Sequence, residues 1–531
     1  MRGRFVRSAA VAVAAAVAAL AQVQSVGAQT LSQEDPVLRQ IWGQAMNNSR
    51  IEVMAQKLLD SIGPRLTGSP HSYRAQDWAV AQLQSWGIQA ERKQYGTWEG
   101  WDRGISHIDL MAPRVRSLEG RILAFSPGTD GKPVEGTVVA LPTMANARDF
   151  EAFLPQVKGK FVMISFPQPT CRANSQWDEF AAAGSYDRMN EARQIAERAW
   201  SASVQATGLS NRELPKRLEA AGALGVVTSL WTGAYGTTRV FNSYTRQVPT
   251  FELGCEDYGL VYRLAANNQG PRLRVTAEAR NLGEVPVHNV IGMMPGSELP
   301  NEYVMLSAHY DSWEGGSGAT DNATGSLLML ETMRILKQVY PNPKRTIMIG
   351  LWNGEEQGLN GSHAFVEDNP DVVNGLQALF NQDNGTGRVV SMSASGFVDA
   401  GESLARWLAE VPAEVTGDID FSVPGMPSGG GTDHASFVCA GAPGFGLGAL
   451  NWGYFDHTWH THRDTFDKLV FDDLRNNAVL VASLAYLASE DPQRVGHTKR
   501  SVFPVGRDGT PGSWPACTPA TRKSQDSSRM Q

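Results

Sequence analysis

The chain has 531 residues, a formal charge of −7, 19% charged and 42% hydrophobic residues, 53 Gly and 14 Trp. That composition excludes a largely disordered chain and a long coiled coil, and the length fits about two to four domains. It contains no long Lys/Arg blocks, so the surface is not built to neutralise phosphates, and nucleic acid is excluded as a partner.

Arg2, Arg4 and Arg7 precede an apolar run from Ala9 to Ala21, and Val26-Gly27-Ala28 offers a small-residue cleavage site. This is the pattern of a signal peptide over 1–28, too short to span a bilayer, and it predicts export to a periplasm or the exterior. No later segment has 18 consecutive apolar residues, so no stable membrane insertion of the mature chain is expected. In an oxidising compartment Cys171 and Cys255, which fall in the same candidate domain, make the more plausible bridge. Cys439, in an apolar run, reads equally as a buried free thiol.

The spacing of Ala79, Leu83 and Trp86 predicts a helix over 71–86, and alternation predicts strands at 88–95 and near 108–111. From 118 to 280 the texture becomes short β-rich runs, at 136–141, 160–166 and 225–230, interrupted by one helix at 213–221. After Val287, strands (303–308, 345–352, 376–380, 444–450) alternate with helices (324–339, 402–410, 471–488). That alternation predicts an α/β fold, a mostly parallel mixed sheet sandwiched by helices. From 493 to 531 the chain is polar and rich in Pro and Gly, and reads as a poorly ordered tail.

The chemistry-bearing residues fall just past these strands or beside helix starts. His309 and Asp311 follow the first of them, Asp321 opens the next helix, Glu355 and Glu356 follow the second, Asp383 the third, and His457, His460 and His462 share a loop before the last helix. In a parallel sheet such positions converge on one rim. Imidazole and carboxylate without thiolate suit hard-to-borderline divalent ions. One economical arrangement has Asp321 bridging two ions, His309 and Asp383 completing one sphere, and Glu356 with a loop histidine completing the other. Asp311 then accepts the second N–H of His309 and fixes its tautomer, and Glu355 is left beside the ions as general base. His363 and His434 read as structural, and Trp98, Trp101 and Trp313 are candidates for lining a substrate pocket.

The segments Ala308-His309-Tyr310-Asp311-Ser312, Gly318-Ala319-Thr320-Asp321-Asn322-Ala323, Asn353-Gly354-Glu355-Glu356-Gln357-Gly358, Asn381-Gln382-Asp383 and His460-Thr461-His462-Arg463-Asp464-Thr465 resemble the co-catalytic dizinc exopeptidases. That family includes bacterial leucyl aminopeptidase, the glutamate carboxypeptidases and the transferrin receptor ectodomain. The resemblance, over 287–489, implies two divalent ions, most readily Zn2+, held by His309, Asp321, Glu356, Asp383 and His460, with Glu355 as catalytic base. It selects His460 because the family's ligand lies four residues before an Asp-Thr pair, here Asp464-Thr465, and it implies a cis peptide between Asp321 and Asn322. Gly431-Thr432-Asp433-His434 is similar to a family segment near the site, with Thr in place of the usual Ser.

The resemblance implies an exported exopeptidase acting on peptide substrates, an aminopeptidase in the first instance. The alternatives are a carboxypeptidase or dipeptidase on the same scaffold, or a non-catalytic binding ectodomain. The 118–280 stretch is similar to the protease-associated domain inserted in several members, most clearly at 219–228 and 247–253. This makes 29–117 with 281–492 one discontinuous peptidase domain.

Overall fold

The computed structural model describes residues 35–506 and 509–524, so the expected signal peptide lies outside the described residues. Helix α1 (Pro36–Asn47) starts where the Asp35 carboxylate accepts from the N–H groups of Val37 and Leu38, with Pro36 at the first helical position. Helix α2 (Pro70–Ser85) is capped by Ser69 and buries Ala75, Ala79 and Leu83 along one stripe. The two strand segments expected at 88–95 and 108–111 are parts of a single strand, β1 (Gln89–Ala112).

The chain then enters a second layered unit: β2 (Val134–Ala140), β3 (Lys160–Met163), α3 (Ser185–Ala206), α4 (Glu213–Ala220), β4 (Gly225–Thr228), β5 (Thr250–Leu253) and α5 (Cys255–Ala266). Strands β2 to β5 run parallel in sequence order. The stretch is therefore more helical than its β-rich texture suggested. Helix α3, 22 residues long, escaped detection because it buries only Arg193 and Ser203 and has no apolar stripe. Strand β6 (Arg272–Met294) leads back, pairing antiparallel with β1 from Ala112/Arg272 to Gln89/Met293. This two-stranded ribbon joins the two halves.

The second half alternates β7 (Leu299–His309), α6 (Thr324–Val339), β8 (Arg345–Trp352), α7 (Asn360–Asp368), β9 (Leu376–Asn381), β10 (Val389–Ser393), α8 (Ala400–Glu410), α9 (His434–Cys439), β11 (Gly444–Ala449) and α10 (Phe471–Glu490). The order across the sheet is β10-β11-β9-β7-β8-β6. Its core strands β11, β9, β7 and β8 are parallel, and β10 and β6 flank them antiparallel. The expected mostly parallel mixed sheet between helices is thus the observed fold.

Period-two burial explains the two covered faces. Val304, Leu306 and Ala308 face the core shared with α1, α6 and α10, as do Ile347, Ile349 and Leu351. Met305, Met348 and Trp352 face the opposite core with Phe365 and Phe437.

The tail corrects its expectation. Cys439 is bridged to Cys517 rather than free, and Cys171 is bridged to Cys255. Trp514 packs edge-on against Phe397 at 5.2 Å, and Arg522 pairs with Glu367 and Asp368. A polar, Pro-rich segment without periodicity is held here by a covalent link and by ion pairs, neither of which composition reveals.

Candidate metal centre

The parallel strands end on one rim, and the sequence-selected residues sit there. His309 is the last residue of β7, Asp383 follows β9, Glu355 and Glu356 follow β8, Asp321 lies in the turn that opens α6, and His460 lies in the loop between β11 and α10. Gly325 allows that turn to sit close, since a Cβ there would stand 2.3 Å from the Gln382 carbonyl oxygen. The Asp321–Asn322 peptide is cis.

The Asp321 carboxylate stands between two imidazoles. Its Oδ1 is 3.2 Å from His309 Nε2, and its Oδ2 is 3.3 Å from His460 Nε2. His309 Nε2 is also 2.9 Å from Asp383 Oδ1, and His460 Nε2 is 3.1 Å from Glu356 Oε2. Glu355 is farther from His309, at 4.0 Å. Two three-residue groups, His309-Glu355-Asp383 and His309-Asp321-Glu356, offer ligand atoms within 4.8 Å of one another.

The electrostatics of this cluster call for a cation. Burial first, then the neighbouring carboxylates, holds Glu355 and Glu356 well above the usual carboxylate range, and burial also raises Asp383. Burial alone would lower His309, but Asp383 and Glu355 raise it well above an ordinary imidazole. Desolvation lowers His460 to about 4. Among the described residues no Lys or Arg side chain forms an ion pair with Asp321, Glu355, Glu356 or Asp383. Asp321 Oδ2, Glu356 Oε1 and His460 Nδ1 are buried without hydrogen-bond partners. Uncompensated buried carboxylates are costly, and divalent cations at these O and N donors remove that cost. The residues present therefore fit a pair of divalent ions.

Asp311 differs from its expected geometry. His309 Nδ1 faces the Asp311 main-chain oxygen at 3.0 Å, whereas the carboxylate is 3.7 Å away, too far for a hydrogen bond. The carboxylate instead accepts from the N–H groups of Glu355 and Glu356, each at 3.3 Å, and from Thr67 Oγ1 at 3.0 Å. The tautomer is set by a carbonyl, and the carboxylate holds the glutamate turn.

Of the three loop histidines, His460 alone faces the cluster. His457 is exposed, and His462 turns away, its Nδ1 2.8 Å from Thr238 Oγ1 and its Nε2 3.2 Å from Glu119. His460 has no polar partner on Nδ1; aromatic rings hold it instead. Trp459 stacks on it at 3.8 Å, Phe241 meets it edge-on at 4.8 Å, and Trp313 lies at 5.8 Å. Trp98 and Trp101, on β1, are buried in the core that runs along the β1–β6 ribbon and is shared with the 118–280 stretch.

Sequence reasoning missed three supports. Asp464, used above only as a spacing marker, accepts from the N–H groups of Thr320 (2.8 Å) and Asp321 (3.0 Å) and so fixes the bridging turn. Arg65 is fully buried and donates to the carbonyls of Tyr310, Ser317 and Gly318. Phe241 comes from the inserted unit, where nothing in its local sequence marks a neighbour of the rim. Asp464 was within reach, because a carboxylate beside a candidate ligand loop must find donors.

Comparison with known proteins agrees with the motifs. Residues 289–485 match the profile of Peptidase family M28, which marks that segment as an M28 peptidase domain, consistent with the resemblance to the co-catalytic zinc exopeptidases. Carboxypeptidase Q of Bos taurus is 24% identical over 453 residues, covering 85% of this chain and 87% of that protein. The crystal structure of a Peptidase M28 precursor from Shewanella amazonensis superposes with a TM-score of 0.64 at 21% identity, covering 86% of this chain and 97% of that one. BSAP, a zinc aminopeptidase from Bacillus subtilis, gives 0.55 at 17% identity, covering 85% and 96%.

Proposed function

We propose that this chain is an exported, zinc-dependent metallo-exopeptidase with two ions, cleaving short peptides that carry a free N-terminus. The observation that carries this reading is Asp321 standing between His309 and His460, at 3.2 and 3.3 Å, each imidazole with a further carboxylate. His309, Asp321 and Asp383 would hold one ion, and Asp321, Glu356 and His460 the other. When bound, such ions polarise a carbonyl and lower the pKa of water from 15.7 to about 7.

The remaining work falls to the chain itself. Glu355, farther from His309 than Asp383 is and anchored through its N–H by Asp311, is placed to take a proton from water and return it to the leaving amine. Asp464 and Asp311 hold the bridging turn and the glutamate turn, so that ligands and base keep their separation.

The aminopeptidase reading is favoured because the buried arginine beside the rim, Arg65, is already committed to four main-chain carbonyls and is not free to pair a substrate α-carboxylate. The second reading, a carboxypeptidase or dipeptidase, is favoured by likeness to carboxypeptidase Q along most of the chain. Hydrolysis of aminoacyl anilides, free dipeptides and N-blocked dipeptides, with and without a chelator, separates them. Anilide turnover abolished by the chelator supports the first reading, and turnover of N-blocked dipeptides supports the second.

Two disulfides support an oxidising compartment, and the sequence of 1–28 supports export. The division into a discontinuous peptidase domain and a protease-associated-type insert at 118–280 draws support from one core whose buried residues lie only within 38–88 and 290–495 and another whose buried residues lie only within 141–226, while a third core along the β1–β6 ribbon is shared by both parts.

A further inference from the structure

A cavity of about 550 Å3 lies in the inserted unit, between its parallel sheet and α3 and α4. That volume is within the usual range for small-molecule and side-chain pockets. Trp200 and Val204 of α3, Leu214 of α4, Ile164 beyond β3, and Phe241 provide apolar walls. Ile164 and Leu230 lie past the carboxyl ends of β3 and β4, where ligands of parallel sheets bind.

One lining residue is not apolar. Glu252 of β5 is 1% exposed. Its Oε1 accepts from the main-chain N–H groups of Arg239 (2.7 Å) and Leu230 (3.2 Å), and among the described residues no Lys or Arg side chain pairs with it. The nearby Arg239 guanidinium lies instead over the Trp459 ring, 4.9 Å from its centroid. Desolvation pushes the Glu252 carboxyl up to about 8, outweighing its two N–H donors and the charge of the Arg239 guanidinium, which does not pair with it. Phe241 ties the cavity to the metal centre, because the same ring lines the cavity and meets His460 edge-on at 4.8 Å.

We propose that this cavity is a side-chain pocket for the substrate, taking a lysine- or arginine-type residue whose methylene stem lies along Trp200, Val204 and Leu214 and whose cationic tip meets Glu252. The occupant follows from the chemistry: a long apolar wall favours a stem of several methylenes, and a buried, unpaired carboxyl favours a cation at its end. Phe241 gives the reason for choosing a substrate residue over an unrelated ligand, since the pocket adjoins the loop of a metal-ligand candidate. This inference rests on the exopeptidase reading and adds a substrate class to it.

The test compares Lys-Ala and Ala-Lys with their norleucine counterparts, which keep the stem and lose the charge. The purified full chain should show kcat/KM at least tenfold higher for one lysyl peptide than for its norleucine partner. Glu252→Gln should reduce that ratio about tenfold. Val204→Trp, which fills the cavity without altering the Glu252 hydrogen bonds, should raise KM for the lysyl peptide at least tenfold relative to that for Ala-Ala. Equal or better turnover of the norleucine peptides, or lysine selectivity unchanged by both substitutions, overturns the proposal. If no peptide is cleaved, the exopeptidase reading fails by itself. Calorimetric titration of the same lysyl peptides then decides the pocket: binding weakened by Val204→Trp upholds it, and binding absent or unaffected overturns it.

Discussion

The Asp311 carboxylate and the Glu355 main-chain N–H are 3.3 Å apart, so the loop after β7 holds the loop after β8. Replacing Asp311 by Ala removes the acceptor for two N–H groups and for Thr67. We expect a loss of about 10–100-fold in turnover or metal affinity, as for other partners of ligands, with the far-UV circular dichroism unchanged. A variant with wild-type turnover and metal content would show that the contact has no functional weight.

Glu355→Gln should separate chemistry from binding. The variant should retain two ions per chain by elemental analysis and lose roughly 10²–10⁴-fold in kcat. Asp321→Asn should instead lower the metal content, because one carboxylate faces both imidazoles. Loss of metal from the Gln variant would reassign Glu355 as a ligand, an option left open by its place in the His309-Glu355-Asp383 group.

Metal removal should reduce stability as well as activity. The buried carboxylates lose their counter-charge, so the melting temperature should fall on chelation and recover with Zn2+. Saturation at 100 times Kd corresponds to about 2.7 kcal/mol. An unchanged melting temperature together with unchanged activity would count against any bound ion.

Glu252 makes stability depend on pH. Its carboxyl is near 8 in the folded chain against an ordinary 4.5, so the folded state binds the proton more tightly. The contribution is fully present below about pH 4.5 and is lost as pH rises through about 8. Glu252→Gln stays neutral throughout, so its melting temperature relative to wild type should increase from pH 5 to pH 8.5. A constant or falling difference over that range would contradict the assignment.

The tail should depend on Cys439–Cys517, which closes a loop with a sequence separation of 78. Cys517→Ser should cost roughly 2–5 kcal/mol in denaturant unfolding and make the chain beyond about residue 500 the first site of limited proteolysis. Wild-type resistance in the variant would mean that Trp514 and the Arg522 ion pairs suffice.

Much of the rim was legible because its determinants are local. Val304, Leu306 and Ala308 alternate with Met305, so the strand and its end at His309 can be read directly, and the ligand types stand within a few residues of such ends. Asp311 lay in the right place with the wrong atom assigned, since a choice between carbonyl and carboxylate depends on a loop more than forty residues away. Helix α3 left little signal because its buried residues, Arg193 and Ser203, are polar and only a short stretch near its end, Trp200 and Val204 included, faces the core, too little to make a hydrophobic period. Cys439 misled because its neighbours are apolar while its partner lies in a polar tail. Arg65 and Phe241 act across the fold and have no local signature.

The segment that carries Phe241 also donates the Val240 N–H to the His460 carbonyl at 2.8 Å and forms a bridge between Arg239 and Thr461. A shortened chain made by excising 118–280 would thus lose the segment bridged to the candidate metal-ligand loop, along with one ring that packs against the His460 imidazole. The inserted unit braces the candidate ligand loop from outside, and its removal is expected to weaken metal binding at the rim rather than to leave an intact core free of a dispensable attachment.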